Sequence, residues 1–306
     1  MDVFENYKDI PESARGGVVV IGNFDGVHRG HLALLETARN IADDLDTHVC
    51  VLTFEPHPRS LFRPDDLPFR LTLPALKAWR LEEAGVDSLF SLPFNWDFAS
   101  QSADVFVQDI LMDGLGAAHV VVGYNFRFGQ LRKGSPETIK EAGLPVTIID
   151  EVLEEGAAQI SSSQIRQALR HGRVHEANKL LGWNWEVRGE VVKGDQRGRE
   201  LGYPTANFPL GEVIHPAYGV YAARVQIEGE DEWHGAAINI GIKPMFEVPQ
   251  AEVESHIFGF DRDIYGRVIR VQPVQFLRGE AKFNSVDELI AQMDKDCAQA
   301  RDILGS

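Results

Sequence analysis

Two rhythms of hydrophobic and polar positions divide the chain. From residue 17 to about 150, short apolar runs at 17–22, 48–54, 87–92, 118–123 and 145–149 alternate with helical periodicities near 30–44, 74–84, 102–113 and 135–142. This βαβ succession predicts a doubly wound, Rossmann-like parallel sheet, with ligands at the carboxyl ends of its strands. Two more helical patterns, 161–170 and 173–181, close this half.

From Trp185 the period changes to two. Alternating segments at 186–192, 219–227, 233–240, 251–258 and 268–276 are separated by turns rich in Gly, Pro and Asp. They predict an antiparallel β-barrel, and an amphipathic helix over 286–304 ends the chain. The expected fold class is therefore α/β plus β, with the boundary between Leu181 and Trp185 and domains at 1–182 and 183–306.

The first apolar run is followed by Gly22-Asn23-Phe24-Asp25-Gly26-Val27-His28-Arg29-Gly30-His31. This places a Gly-containing turn between a buried strand and the start of a helix. His28 and His31 share one face of that start, beside backbone N–H groups without intrahelical partners, a setting suited to nucleotide phosphates. Gly30 between them leaves room for close approach to the backbone.

Bulk properties narrow the setting. With 306 residues there is chain enough for two cores. The net charge of −16 and a pI of about 5.0 argue against coating DNA or RNA. Cys50 and Cys297 make neither a disulfide framework nor a zinc site. The first residues lack an apolar signal core and no stretch is long enough to span a membrane. A soluble cytoplasmic protein without nucleic-acid or membrane partners is expected; a homo-oligomer is compatible with these patterns, which do not encode it.

Further polar stretches fall at the expected ligand edge of the sheet: Leu52 to Pro58 (LTFEPHP), Val122 to Gly129 (VGYNFRFG), and Ile160 to Arg166 (ISSSQIR), which opens a helix. Taken alone, Asn125 suits a turn and Ser162 and Ser163 suit a helix cap. In the second half, Gly189 to Phe208 reads GEVVKGDQRGRELGYPTANF. It contains no Walker A loop, but Thr205 and Asn207 lie on one side of an extended chain and offer oxygen ligands for Mg²⁺ and a phosphate.

The His-x-Gly-His spacing is that of the nucleotidyltransferase superfamily. With these other motifs, in order along nearly the whole chain, the sequence resembles the prokaryotic bifunctional riboflavin kinase/FAD synthetases. The resemblance implies two reactions, riboflavin plus ATP giving FMN and FMN plus ATP giving FAD and pyrophosphate, with Mg²⁺ as cofactor. For adenylyl transfer it implies His28, His31 and Arg166 as catalytic groups, with Gly22, Phe24, Asp25, Gly30, Asn125, Ser162 and Ser163 around the nucleotide. For the kinase it implies Thr205 and Asn207 at the metal, Gly194, Gly198 and Arg199 in a loop over the phosphates, and Glu254 as general base. On the alternating strand Glu254 shares a face with His256 and Phe258, opposite Val253, Ser255 and Ile257. One departure is Pro244-Met245-Phe246, where the family usually has Thr at the middle position. Competing readings are an enzyme with only one of the two activities, a flavin-binding regulator without turnover, and a CTP-using transferase; the last leaves the second half unexplained.

Overall fold

The computed structural model describes residues 1–150, 160–194, 201–243 and 250–305. It divides into two compact units, Met1–Leu67 with Thr72–Ser161, and Pro68–Leu71 with Ser162–Ser306.

In the first unit, strands β1 (Asp2–Phe4), β2 (Val18–Ile21), β3 (Val49–Glu55), β4 (Ser88–Pro93), β5 (His119–Gly123) and β6 (Val146–Ile149) form one sheet in the order β1-β4-β3-β2-β5-β6. Every pairing is parallel. Alternate residues of β2 serve the two faces. Val18 and Val20 pack with Leu35 and Ala38 of α1 (Arg29–Asp44) and Leu81 of α3 (Pro74–Glu83). Val19 and Ile21 pack with Phe106, Ile110 and Leu111 on the other side. Both faces are thus dry, which is why these strands read as unbroken apolar runs. A short α2 (Pro58–Phe62) follows β3, and α4 (Trp96–Ala99) follows β4.

Two details depart from expectation. Strand β1 was not anticipated: it spans three residues on the sheet's edge, too few to show a period. The expected helix at 102–113 starts as one α-turn, α5 (Ala103–Val105), and continues as a π-helix over Phe106–Gly114, where Leu115 N–H reaches the Ile110 carbonyl at 2.8 Å. Helix α6 (Pro136–Glu141) precedes β6.

The second unit begins with helices α7 (Ser162–Arg170) and α8 (Val174–Leu181), which cluster with the barrel and not with the parallel sheet. Strands β7 (Val187–Glu190), β8 (Ala206–Pro209), β9 (Gly219–Ile227), β10 (Trp233–Lys243), β11 (Gln250–Ile257) and β12 (Val268–Gly279) follow in the order β7-β12-β9-β10-β11-β8. All are antiparallel. A bridge from Val192 to Asn207 brings the two ends of the sheet together and nearly closes the barrel. Its interior holds Tyr221, Val225, Ile238, Ile240, Val253 and Ile269, all wholly buried or nearly so. Helix α9 (Val286–Leu304) packs Ala300 on Ala222, Ala237 and Phe258.

The segment Pro68–Leu71 belongs to this unit because its carbonyls satisfy buried donors. Trp185 Nε1 donates to Leu71 at 3.0 Å and Ile214 N–H to Arg70 at 2.8 Å.

Candidate active sites

In the parallel sheet the chain runs from central β2 outward through β3 and β4, then returns to β5 on the other flank of β2. The carboxyl ends of β2 and β5 form the topological switch point, where open α/β sheets bind ligands. The loop from Gly22 to His28 leaves β2 there, and the turn from Gly123 to Phe126 leaves β5.

The β2–α1 loop is tightly held. Phe24, Gly26 and Val27 have φ of 50°, 90° and 36°. Asp25, nearly inaccessible, accepts from Thr72 N–H at 3.1 Å, and Gly26 N–H donates to Thr72 Oγ1 at 3.0 Å. His28 is the N-cap of α1 and its N–H donates to His31 Nδ1 at 3.3 Å. The two imidazoles stack at 3.7 Å, and Phe24 backs His31 at 4.9 Å. Because Nδ1 of His31 accepts, Nε2 carries the proton of the neutral ring. Space at Gly30 is tight: a Cβ there would sit 3.1 Å from the His28 ring and 3.3 Å from the Ile160 carbonyl, so a larger residue would have to push that ring or carbonyl back by a few tenths of an ångström. A Cβ at Gly22 would come within 3.2 Å of the Phe24 ring.

Asn125 lies exposed in the turn after β5. His57 caps α2, its Nδ1 accepting from Arg59 N–H at 3.1 Å. Ser162, Ser163 and Arg166 stand at the start of α7 in the second unit, where Arg166 Nε donates to the Phe69 carbonyl at 2.8 Å.

Sequence reasoning missed two features of this edge. Lys77 of α3 is 2% exposed, ion-paired to Glu55 at 2.6 Å, and within 3.2 Å of Thr53 Oγ1 and 3.4 Å of the Asn23 carbonyl. Its signal was a lysine on the apolar face of α3, four residues before buried Leu81. The other is a run of rings at the ends of β3 and β4: Phe54, Phe94 and Phe98 lie 5.4–5.6 Å apart, and exposed Phe62 and Trp96 continue it.

In the barrel, Glu254 of β11 pairs directly with Asn207 of β8 and with Asn239 of β10. Cross-strand partners present their side chains on one face, about 5 Å apart at Cβ, so Asn207, Glu254 and Asn239 form a polar row. Val253, Ser255 and Ile257 turn the other way and are buried, whereas Glu254 and His256 stay partly accessible. This is the facing that the alternation implied. Beside the row opens a cavity of about 460 Å³, lined by Val191, Gly194, Thr205, Asn207, Ser255, Ile264 and neighbours.

Asn207 is 5% exposed and its Oδ1 has no hydrogen-bond partner among the described residues. A Cβ at Gly194 would lie 2.0 Å from Asn207 Nδ2, so only glycine lets the backbone cover that amide. An unpartnered buried oxygen next to a threonine hydroxyl is a donor set that fits a hard divalent cation. Tyr203, just before this segment, donates its hydroxyl to Asp294 of α9, and His256 Nδ1 lies 3.0 Å from the Pro204 carbonyl. Gly198, Arg199 and Met245 lie outside the described residues.

A parallel sheet with paired histidines at its switch point, joined to a barrel with a carboxylate beside a cavity of about 460 Å³, defines a two-part nucleotide-dependent transferase. The family model for FAD synthetase matches residues 10–164 and that for riboflavin kinase residues 181–304. The bifunctional riboflavin kinase/FMN adenylyltransferase of Escherichia coli K12 is 39% identical over 95% of this chain and 93% of its own. That of Bacillus subtilis 168 is 37% identical over the same shares. A solved structure described as a macrolide-efflux protein from Streptococcus pneumoniae has a TM-score of 0.87 and 35% identity over 98% of both chains. Among the described residues no helix is long and apolar enough to cross a membrane. The chain belongs to the bifunctional riboflavin kinase/FMN adenylyltransferase family, with the adenylyltransferase in its N-terminal part and the kinase in its C-terminal part.

Proposed function

We propose that residues 1–182 form the adenylyltransferase domain, acting through His28 and His31, and residues 183–306 the kinase domain, acting through Glu254. The observation that carries this reading is the register that sets Glu254 across from Asn207 beside the cavity.

In the kinase reaction the riboflavin ribityl hydroxyl is a poor nucleophile while it holds its proton. Glu254 takes that proton as the oxygen attacks the γ-phosphorus of ATP, and ADP leaves. Thr205 and Asn207 would hold Mg²⁺, which when bound neutralises charge on the ATP phosphates. Gly194 lets the backbone lie against Asn207 at that place.

In the adenylyl transfer the FMN phosphate, whose second ionisation is near pH ~6, is already an anion at neutral pH. One of its oxygens attacks the α-phosphorus of the second ATP, the α–β bridging bond breaks, and pyrophosphate leaves. No general base is needed; the site has to align the reactants and to stabilise charge at the α-phosphate and the pyrophosphate. Nε2 of His31 and the first N–H groups of α1 supply donors for this. Ser162, Ser163 and Arg166 keep the phosphate-binding roles that the family resemblance implies. The run of phenylalanine rings and Trp96 offers faces for the flat flavin. Two free cysteines, one buried, agree with a reducing, cytoplasmic compartment.

Incubating the pure protein with riboflavin, ATP and Mg²⁺ tests the reading, with FMN and FAD resolved over time. FMN appearing first and FAD after it supports the reading. Bound flavin without conversion of either substrate returns the flavin-binding regulator to the front.

A further inference from the structure

The row of Asn207, Glu254 and Asn239 does not stop at Asn239. The strand order β8-β11-β10-β9-β12 carries it on to Val220, across from Asn239, and then to Arg278, across from Val220. Neighbouring strands are about 4.8 Å apart, so these side chains follow one another at that step along one face. Their order is an amide, a carboxylate, a second amide, an apolar side chain and a guanidinium. The guanidinium is already engaged, since Arg278 grips Asp296 of α9 at 2.7 Å.

Asn239 is the member of the row that folding does not explain. Asparagine is disfavoured inside strands, and this one is half-buried between Ile238 and Ile240. Among the described residues nothing is hydrogen-bonded to its amide. Two positions along β10, on the same face, Gly241 has no side chain and the Glu280 carboxylate folds over it. A Cβ at Gly241 would collide with Glu280 Oε1 and would lie 3.3 Å from Asn239 Nδ2. An amide, which donates and accepts, therefore stands near a carboxylate, which accepts. Hydroxyl groups need both kinds of partner.

We propose that Asn239 is an acceptor-binding residue of the kinase, its amide holding the ribityl hydroxyls of riboflavin next to the one that Glu254 deprotonates. The inference rests on the kinase reading of this half. In phosphoryl transfer the attacking and leaving oxygens lie roughly in line. With the phosphates on the Asn207 side of Glu254, the rest of the acceptor extends to the other side, where Asn239 is next in the row. Riboflavin has the matching order of chemistry: a terminal hydroxyl, further hydroxyls along the chain, then a flat ring system. The row runs from carboxylate to amide to Val220.

The test is Asn239→Ala in the full chain, read through FMN formation so that only the kinase site is sampled. The KM for riboflavin rises about 3–10-fold, as loss of one neutral hydrogen bond implies, and the KM for ATP keeps its parent value. Lumiflavin, which has the ring system and no ribityl chain, probes the ring alone, and its inhibition constant is unchanged. Asn239→Ser keeps a donor and an acceptor on a shorter stem. Its KM for riboflavin falls between those of the parent and the alanine variant, and it carries the test if the alanine variant does not fold.

A loss of riboflavin affinity matched by an equal loss for lumiflavin overturns the proposal, since it marks a general distortion of the site or a contact to the ring. So does a loss confined to ATP, which would put the amide with the phosphates. If the parent protein itself makes no FMN, the kinase reading fails and takes this one with it. A parent that makes FMN beside variants with an unchanged KM for riboflavin sinks the role of Asn239 alone.

Discussion

Glu254 stands directly across from Asn207 in the antiparallel pairing of β11 with β8, so the proposed general base and a proposed metal ligand share one face of the barrel. A cross-strand pair is held by backbone hydrogen bonds on both sides, which leaves little freedom in the spacing. Replacing Glu254 by Gln keeps shape and hydrogen bonding but removes the proton acceptor. FMN formation is expected to fall about 10²–10⁴-fold, the usual contribution of a positioned base. FAD formation from supplied FMN is expected to survive, and equal loss of both in separate assays would refute the division of labour.

The stacked pair His28 and His31 makes the reverse experiment possible. His31→Ala removes the Nε2 donor and unpins the His28 N–H that now bonds to Nδ1. FAD synthesis is expected to drop about 10²–10³-fold, comparable to losing one donor from a charge-stabilising site. Riboflavin phosphorylation by the same preparation should stay at the parent level, and an unchanged thermal melt of the variant shows that the parallel-sheet unit is still folded.

Gly194 tests the cradle over Asn207. An alanine Cβ there would lie 2.0 Å from Asn207 Nδ2, a distance that forces the loop or the amide to move. Gly194→Ala is expected to raise the KM for ATP in the kinase assay and to increase the Mg²⁺ concentration needed for half-maximal rate. An unchanged Mg²⁺ titration would separate the loop from the metal.

Lys77 holds Glu55, Thr53 and the Asn23 carbonyl behind the histidine loop. Lys77→Met leaves Glu55, 18% exposed, without that ion pair. The cost is expected to be about 3 kcal/mol or less, below the full penalty of a wholly buried pair. Denaturant unfolding measures it, and FAD synthesis should weaken more than FMN synthesis.

Glu186 gives the barrel an acid limit. Burial by itself would push its carboxyl up, but hydrogen bonds from Arg270 and Gln272 and the charge of Arg188 outweigh it and hold the carboxyl below its ordinary value. The folded state thus binds this proton less readily than the unfolded chain, whose value is about 4.3. The stabilisation is complete above that pH and is lost as pH falls through the lower folded value. Glu186→Gln should lower the Tm at pH 7 and flatten its decline in acid; a decline as steep as the parent's would assign the acid limit to other carboxylates.

Much of the candidate chemistry was legible because it is local. The turn of His28 and His31 follows from a short apolar run, glycine, and a helical period within a few residues, and the structure has a strand, a loop and a helix there. The facing of Glu254 follows from strict alternation along one strand. Strand β8 was read only as extended chain around Thr205 and Asn207, since four residues with proline at the end carry no period.

Partners distant in the chain were not legible. Lys77 looks like any helical lysine until α3 is laid against β3, and Ser255 like any strand serine until Ala206 and Ile238 close over it. Helices α7 and α8 directly continue the first half in sequence, yet they pack with the barrel. Periodicity states which face of an element is apolar, not which surface covers it.

The two architectures and the motifs at the strand ends were already present in the sequence, because period, turn chemistry and motif spacing are properties of contiguous residues; the pair of reactions followed from the family resemblance that those motifs carry. Folding in three dimensions settled that Asn207, Glu254 and Asn239 stand in one row, that a lysine is buried behind the histidine loop, and that Ser255 is shut away among Ala206, Ile238, Val253 and Ile257. Those facts depend on strand register and on burial, which arise only when segments far apart in the chain exclude water from one another.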